Sequence, residues 1–162
     1  MLRGWMAMAA AALILTGCIS RAPRPYETEL DSLEQQRRES EQQERLAHTE
    51  AQRYAAVVYF AAGSSEIDDA GARELDWFAQ RMKPYPHAVI EVQGFAESTG
   101  DEAAHPELSD RRAEAVARFL AAQGIDAARL VAGGGLSSRF PAPSDQTPKG
   151  RRSNRRVEVT VR

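Results

Sequence analysis

Apolar positions follow two different periods after residue 54, and these periods predict a strand and then a helix. Residues 55–60 (AAVVYF) are rich in β-branched and aromatic side chains, as strands are. A break follows at 63–65 (GSS), after which apolar residues recur at helical spacing from Ile67 to Met82. Two prolines then end the predicted helix.

Four further segments continue this alternation to the end of the chain. They are a second strand, a second helix that starts with a proline and stops before a glycine, a third strand, and a final strand of alternating apolar and polar residues. Their ranges are 88–94, 106–123, 130–132 and 157–161. A loop rich in glycine, serine and proline is predicted over 133–150. The order of elements predicts an α/β two-layer sandwich over residues 55–162.

Residues 1–17 have the character of a signal peptide. A positive residue, Arg3, precedes an apolar run over 6–15, and about ten residues are half of the roughly 20 needed to span a bilayer. The sequence Leu15-Thr16-Gly17-Cys18 resembles the lipobox of bacterial lipoproteins, in which cleavage precedes the cysteine and the cysteine is acylated. We therefore expect lipidation at Cys18, with an ordinary signal peptide and an incidental cysteine as the alternative. Because Ile19 and not aspartate follows, the pattern resembles that of enteric lipoproteins sent to the outer membrane.

Residues 18–54 are expected to connect this anchor to the domain. A proline-containing tether, 21–25 (RAPRP), precedes a stretch from 27 to 53 that is dense in Glu, Gln and Arg, all good helix formers. Positions 37, 40 and 44 are polar where a heptad seam would need apolar residues, so a coiled coil is not expected. The composition predicts a polar helical spacer, with disorder as the alternative.

Composition and charge exclude several classes of function. The formal net charge of −2 argues against a general nucleic-acid binder, which needs a basic surface. A single cysteine and three scattered histidines lack the spacing of a zinc site. Neither a nucleophile elbow nor a phosphate-binding loop is present. We expect no enzymatic activity, cofactor, metal ion or nucleic-acid partner.

Arg112 interrupts the apolar stripe of the second predicted helix. At about 100° per residue it lies on the same side as four apolar residues. These are Leu108, Ala115, Val116 and Phe119. A guanidinium in this position needs partners, because unpaired burial costs several kcal/mol. Glu97, on the turn after the second strand, is a candidate: the two could form a structural ion pair, or they could clamp a zwitterion whose ammonium meets the carboxylate and whose carboxylate meets the guanidinium.

The basic tail at 150–158 (GRRSNRRVE) is the third notable feature. Arg155 shares its parity with the apolar residues of the final strand and is expected to lean inward at the mouth of that strand. Arg156 points the other way and is expected to be solvated or to lie on the outer face of the sheet. The alternative for the whole cluster is a solvated basic patch.

Three motifs together resemble the OmpA-like C-terminal domain family. They are 94–100 (GFAESTG), 108–113 (LSDRRA) and 150–158, in the order and spacing of that family, and the resemblance covers roughly residues 56–162. It implies a mixed sheet with helices packed on one face. It also implies non-covalent binding of peptidoglycan, with the diaminopimelate of the stem peptide held between an acidic residue after the second strand and the arginine of the LSxxRA motif.

Carried over by position, the resemblance assigns the clamp to Glu97 and Arg112, and it places Asn154 and Arg155 in the lining of the same pocket. Four further residues are candidates for contact with peptidoglycan. They are Ala96, Ser98, His105 and Leu108. The implied protein is an outer-membrane lipoprotein that faces the periplasm and ties the membrane, or an envelope complex, to the wall.

The turn departs from the family pattern of Gly-His-Thr-Asp and reads Gly94-Phe95-Ala96-Glu97. A threonine hydroxyl is lost, and the carboxylate is extended by one methylene, about 1.5 Å. The family's asparagine at the start of the second helix is His105. An alternative is therefore an envelope protein-interaction module with a degraded wall pocket, for which the outward-facing Trp77 would be a contact unless it packs under the spacer.

Overall fold

The computed structural model describes residues 25–97, 107–134 and 146–162. The chain divides into two compact units, Met1–Glu39 and Ser40–Arg162. The predicted signal peptide, residues 1–17, and Cys18 lie outside the described residues. The candidates Ser98 and His105 lie outside them as well.

The predicted spacer is helical: helix α1 comprises Pro25–Ala51. Its surface is polar, and its few large apolar side chains, such as Leu30 and Leu33, are more than half exposed. A favourably ordered ion pair joins Glu34 to Arg38 at 3.6 Å. Each of the described helices is too short or too polar to cross a membrane.

Four strands form one mixed sheet in the second unit, as the sequence predicted. They are β1 (Ala55–Tyr59), β2 (Ile90–Gly94), β3 (Leu130–Gly133) and β4 (Arg156–Val161). The order across the sheet is β1-β4-β2-β3, with β4 antiparallel to both neighbours and β2 parallel to β3. The final strand of the chain therefore lies in the centre of the sheet, and the residues just before it are brought to the end of β2.

Two long helices, α2 (Asp69–Met82) and α3 (Leu108–Ala122), cover one face of the sheet. Side chains alternate along the strands: Ala56 and Val58 of β1 are buried, whereas Val57 and Tyr59 are exposed on the other face. The core between the layers also receives Ala51, the last residue of α1, which is fully buried. This is the two-layer sandwich with helices on one face that the sequence predicted.

The sequence-based assignment was wrong over part of the predicted loop and tail, because α4 comprises Pro148–Asn154. Thr147 caps this helix, its side chain accepting a hydrogen bond of 3.0 Å from the Gly150 N–H, and a proline occupies the first turn. The composition of the surrounding segment concealed a helix of only seven residues. The second predicted helix also starts later than expected, since α3 begins at Leu108.

Trp77 packs against the end of the spacer. Its ring meets that of Tyr54 edge-on, with centroids 6.2 Å apart, and the Arg81 guanidinium lies 5.4 Å from the Trp77 centroid. A tilted contact with Tyr85, at 6.0 Å, extends the cluster on the other side of Tyr54. These contacts favour packing over the alternative of a contact with another protein, although 44% of Trp77 is exposed.

Candidate ligand-binding site

The first turn of α3 rests directly on the backbone at the ends of β2 and β3. A Cβ atom on Gly94 would lie 2.0 Å from the Ser109 carbonyl oxygen, and one on Gly134 would lie 2.4 Å from the Asp110 nitrogen. No side chain fits at these distances, so the close approach requires glycine at both positions. This close approach brings Arg112, in the second helical turn of α3, next to the residues that follow β2.

The Arg112 side chain is fully buried and bonds to the main chain of two separate segments. Its Nε donates to the Ser64 carbonyl at 2.8 Å, and Nη2 donates to the Ala61 carbonyl at 3.1 Å. Nη1 donates to the Phe95 carbonyl at 3.3 Å, and the guanidinium lies 5.3 Å from the centroid of the Phe60 ring. Arg112 thus ties α3 to the β1–α2 connection and to the turn after β2.

The Glu97 carboxylate is buried to 8% exposure and lies between two arginines of the tail. Its Oε1 pairs with Nη1 of Arg155, and its Oε2 lies 3.7 Å from Nε of Arg151. Arg155 is itself oriented by a hydrogen bond of 3.1 Å from its Nε to the Phe60 carbonyl. The candidate acidic residue is therefore placed against the basic tail, as a binding pocket built from the turn and the tail requires.

Phe95 is held by Arg156, the first residue of β4. The Phe95 N–H donates to the Arg156 carbonyl at 2.8 Å, and the Arg156 guanidinium stacks 4.0 Å from the centroid of the Phe95 ring. The same guanidinium bonds to Glu158 at 2.7 Å and to the Ser153 carbonyl at 3.0 Å. Arg156 thus lies on the outer face beside Glu158, one of the two expected positions, and it fixes the turn that carries Glu97.

Helix α4 brings Arg151 to the site, a residue that the sequence analysis did not assign to it. Arg155 is the C-cap residue of this short helix, and its N–H donates to the Arg151 carbonyl at 3.2 Å, so the two arginines are one turn apart. The signal that could have found Arg151 is the Thr147-Pro148 pair, which is typical of a helix start. A helix that begins there necessarily places Arg151 beside Arg155.

The remaining described candidates lie in the interior. Ala96, Leu108 and Asn154 are all buried. Around the Glu97 carboxylate stand the guanidinium groups of Arg155 and Arg151, and Arg112 lies beneath the same turn. Such an arrangement suits a ligand that carries an ammonium group and carboxylates together.

Within the described ranges no group of three His, Cys, Asp or Glu side chains is placed to hold a metal ion.

A concavity lies at the end of β2 opposite to Glu97. It is a groove of about 630 Å³, lined by α1 side chains between Glu41 and Thr49 and by residues 84–88. The larger part of its lining is apolar. We refer to it as the α1 groove.

Comparison with known sequences places the described site within one family. The model of the OmpA family matches residues 59–155. The probable lipoprotein YiaD of Escherichia coli (strain K12) is 38% identical over 104 residues, which are 64% of this chain and 47% of that protein. The peptidoglycan-binding protein ArfA of Mycobacterium tuberculosis (strain ATCC 25618 / H37Rv) is 36% identical over 104 residues, 64% of this chain and 32% of that protein. The chain therefore spans less than half the length of either relative.

Solved structures share the architecture. The crystal structure of the peptidoglycan-associated lipoprotein from Burkholderia pseudomallei matches with a TM-score of 0.60 and 29% identity, over 66% of this chain and 90% of that one. The C-terminal domain of Helicobacter pylori MotB (residues 125–256) matches with a TM-score of 0.59 and 24% identity, over 65% of this chain and 81% of that one. The second likeness concerns the fold alone.

Proposed function

The chain belongs to the OmpA family, and from that premise we propose that it binds peptidoglycan non-covalently as a binding protein and not as an enzyme. The observation that carries the proposal is the carboxylate of Glu97 set beside guanidinium groups at the end of β2. The names of the relatives support it, since ArfA is described as peptidoglycan-binding and the Burkholderia protein as peptidoglycan-associated.

The proposed ligand group is the diaminopimelate of the stem peptide. Its free end carries an ammonium group and a carboxylate on one carbon, and we assign the ammonium to Glu97 and the carboxylate to the guanidinium groups beside it. Arg112 holds the turn from below and supplies positive charge, while Asn154 and Arg155 line the tail side. Four residues complete the proposed contact set: Ala96, Ser98, His105 and Leu108. Neither a metal ion nor a cofactor takes part.

The proposed location is the outer membrane, with the domain in the periplasm. Acylation of Cys18 would supply the anchor, since each buried methylene contributes about 0.8 kcal/mol and several chains hold a soluble domain firmly. Helix α1 supports the role of a spacer between anchor and wall, because its exposed surface is polar. Other envelope proteins are further candidate partners of this tether.

The rival function is a protein-interaction module with a degraded wall pocket. The observation that favours it is the Phe95-Ala96-Glu97 turn. Changing Ala96→Thr and Glu97→Asp together restores the family residues and separates the two functions. A large gain in wall binding would favour the rival, whereas a small change would favour an already working pocket.

Removing the charge of Glu97 is expected to abolish most of the wall binding. A charge-assisted contact contributes about 1.5–3 kcal/mol, so Glu97→Gln should weaken binding by at least about tenfold. The measurement is co-sedimentation with isolated sacculi, using the chain from residue 18 onward with Cys18→Ser to keep it in solution. Glu91→Gln, on the outer face of β2, the strand that precedes the Glu97 turn, is the matched control and should sediment like the unchanged protein. The proposal fails if the unchanged protein stays in the supernatant or if Glu97→Gln sediments equally well.

A further inference from the structure

We propose that Arg151 determines the specificity of this site by reading a free carboxylate, so that the site discriminates against a ligand in which that carboxylate is amidated. The inference rests on the proposed function and deepens it. It assigns a binding role to a helix, α4, that the sequence did not reveal.

The three guanidinium groups of the site differ in what they can reach. Arg112 is fully buried and donates to three carbonyl oxygens, and Arg155 is 16% exposed and engaged with both Glu97 and the Phe60 carbonyl. Arg151 is 35% exposed. Of the three it is therefore the one that an arriving ligand meets first.

Between the residues that the structure describes, the contact of Glu97 with Arg151 is longer than its contact with Arg155. Nε of Arg151 lies 3.7 Å from Oε2, beyond the 2.7–2.9 Å typical of charge-assisted hydrogen bonds. A ligand ammonium approaching Oε2 would supply the positive charge that Arg151 supplies in the unbound protein. The charge of Glu97 would then stay compensated while the 35% exposed Arg151 guanidinium faces the ligand.

The geometry of an amino-acid head group places its carboxylate within reach of the exposed Arg151 guanidinium. The ammonium nitrogen and the carboxylate carbon are attached to one carbon through bonds of about 1.5 Å each. An ammonium held by Glu97 therefore brings its own carboxylate beside the arginine that flanks Glu97. A planar guanidinium accepts a carboxylate through two parallel hydrogen bonds.

A carboxamide does not satisfy the same position. It carries no charge, and one of its two polar atoms is a donor that faces the donors of the guanidinium. With an amide bound, the guanidinium groups of Arg151 and Arg155 would face the carboxylate of Glu97 but no carboxylate of the ligand. Amidation should therefore lower affinity, and Arg151 should account for most of the difference.

The test compares two stem peptides that end in diaminopimelate, one with the carboxylate next to the free amine and one with that carboxylate amidated. Calorimetric titration of the chain from residue 18 with Cys18→Ser should show a preference for the free acid of about tenfold, since contacts to charged groups are worth a factor of ten or more and partial exposure lowers this value. Arg151→Gln should reduce the preference to about twofold or less without changing the unfolding temperature. Arg151→Lys, which keeps the charge, should restore part of it.

Arg152→Gln is the matched control, because Arg152 is the exposed neighbour on the same helix and should leave the preference intact. Equal binding of both peptides by the unchanged protein overturns the inference while leaving the proposed function standing. A preference that survives in Arg151→Gln overturns it as well. If the unchanged protein binds neither peptide, the proposed function fails and the inference fails with it.

Discussion

Arg112→Ala is expected to destabilise the domain by about 3–5 kcal/mol, the range for truncating a large, fully buried side chain to alanine. The change deletes a large, fully buried side chain and leaves the carbonyls of Ser64, Ala61 and Phe95 without that donor. The Phe95 carbonyl is buried, and loss of this donor there costs about 1–3 kcal/mol, to which the cavity adds. Urea unfolding measures the change in the free energy of unfolding.

Arg118→Ala is the control for Arg112→Ala, since it removes the same side chain from the exposed face of the same helix. Arg118 pairs with Glu114 at 3.4 Å, and both side chains are mostly exposed. A surface pair of this kind contributes at most about 0.5 kcal/mol. Equal stability losses in the two variants would contradict the structural role assigned to Arg112.

Gly94→Ala is expected to destabilise the domain by about 3 kcal/mol, at the upper end of the range for overpacking. The added methyl group would lie 2.0 Å from the Ser109 carbonyl oxygen and 3.3 Å from the Ala113 Cβ. The first contact is with backbone, so α3 itself would have to shift away from β2. Thermal unfolding should register the loss as a clear fall in the midpoint temperature.

Gly133→Ala, at the end of the neighbouring parallel strand, is the comparison for Gly94→Ala. A Cβ atom there meets nothing within 4 Å. The unfolding temperature of Gly133→Ala should stay close to that of the unchanged protein or rise slightly, because alanine lowers the entropy of the unfolded chain. If both glycine variants unfold at the same temperature, the close approach of α3 to β2 is refuted.

Four variants separate residues that support the fold from residues proposed to contact the ligand. They are Arg112→Ala and Gly94→Ala on one side and Glu97→Gln and Arg151→Gln on the other. Arg112 and Gly94 support the turn from inside the domain, so their loss should disturb folding and binding together. Arg151 lies at the rim, and its neutral replacement should change binding far more than stability. Glu97 is only 8% exposed, so Glu97→Gln should lower stability as well as binding. A site whose rim charges proved to matter only for folding would be structural.

Long elements with a clear period were predictable from the sequence because burial on one face imposes that period. The apolar repeat of α2 and the alternation along β4 are examples, and both elements lie within two residues of their predicted ranges. Helix α4 was not predictable on the same basis. Its seven residues are too few to establish a period, and its start is marked only by the Thr147-Pro148 pair.

The sequence indicated which charged residues form the candidate site, but not which groups those residues bond to. The position of Arg112 within an apolar stripe predicted its burial correctly. Its hydrogen bonds reach carbonyls 48 and 51 residues away, at Ser64 and Ala61. Any residue supplies a carbonyl, so no sequence pattern marks these partners, and the fold alone selects them.

The pairing of Glu97 with the tail has a similar explanation. Arg155 is 58 residues from Glu97, and the two meet because β4 lies beside β2 in the sheet. Oε2 of Glu97 also lies 3.7 Å from Nε of Arg151 on α4, the residue proposed to read the ligand.

The most direct test of the proposed site is a titration of the ¹⁵N-labelled chain, from residue 18 with Cys18→Ser, with a soluble stem peptide that ends in diaminopimelate. We predict saturable chemical-shift changes centred on residues 94–97 and 151–155, with residues 84–88 of the α1 groove unaffected. A spectrum that does not change up to millimolar peptide, or changes confined to the α1 groove, would contradict the account.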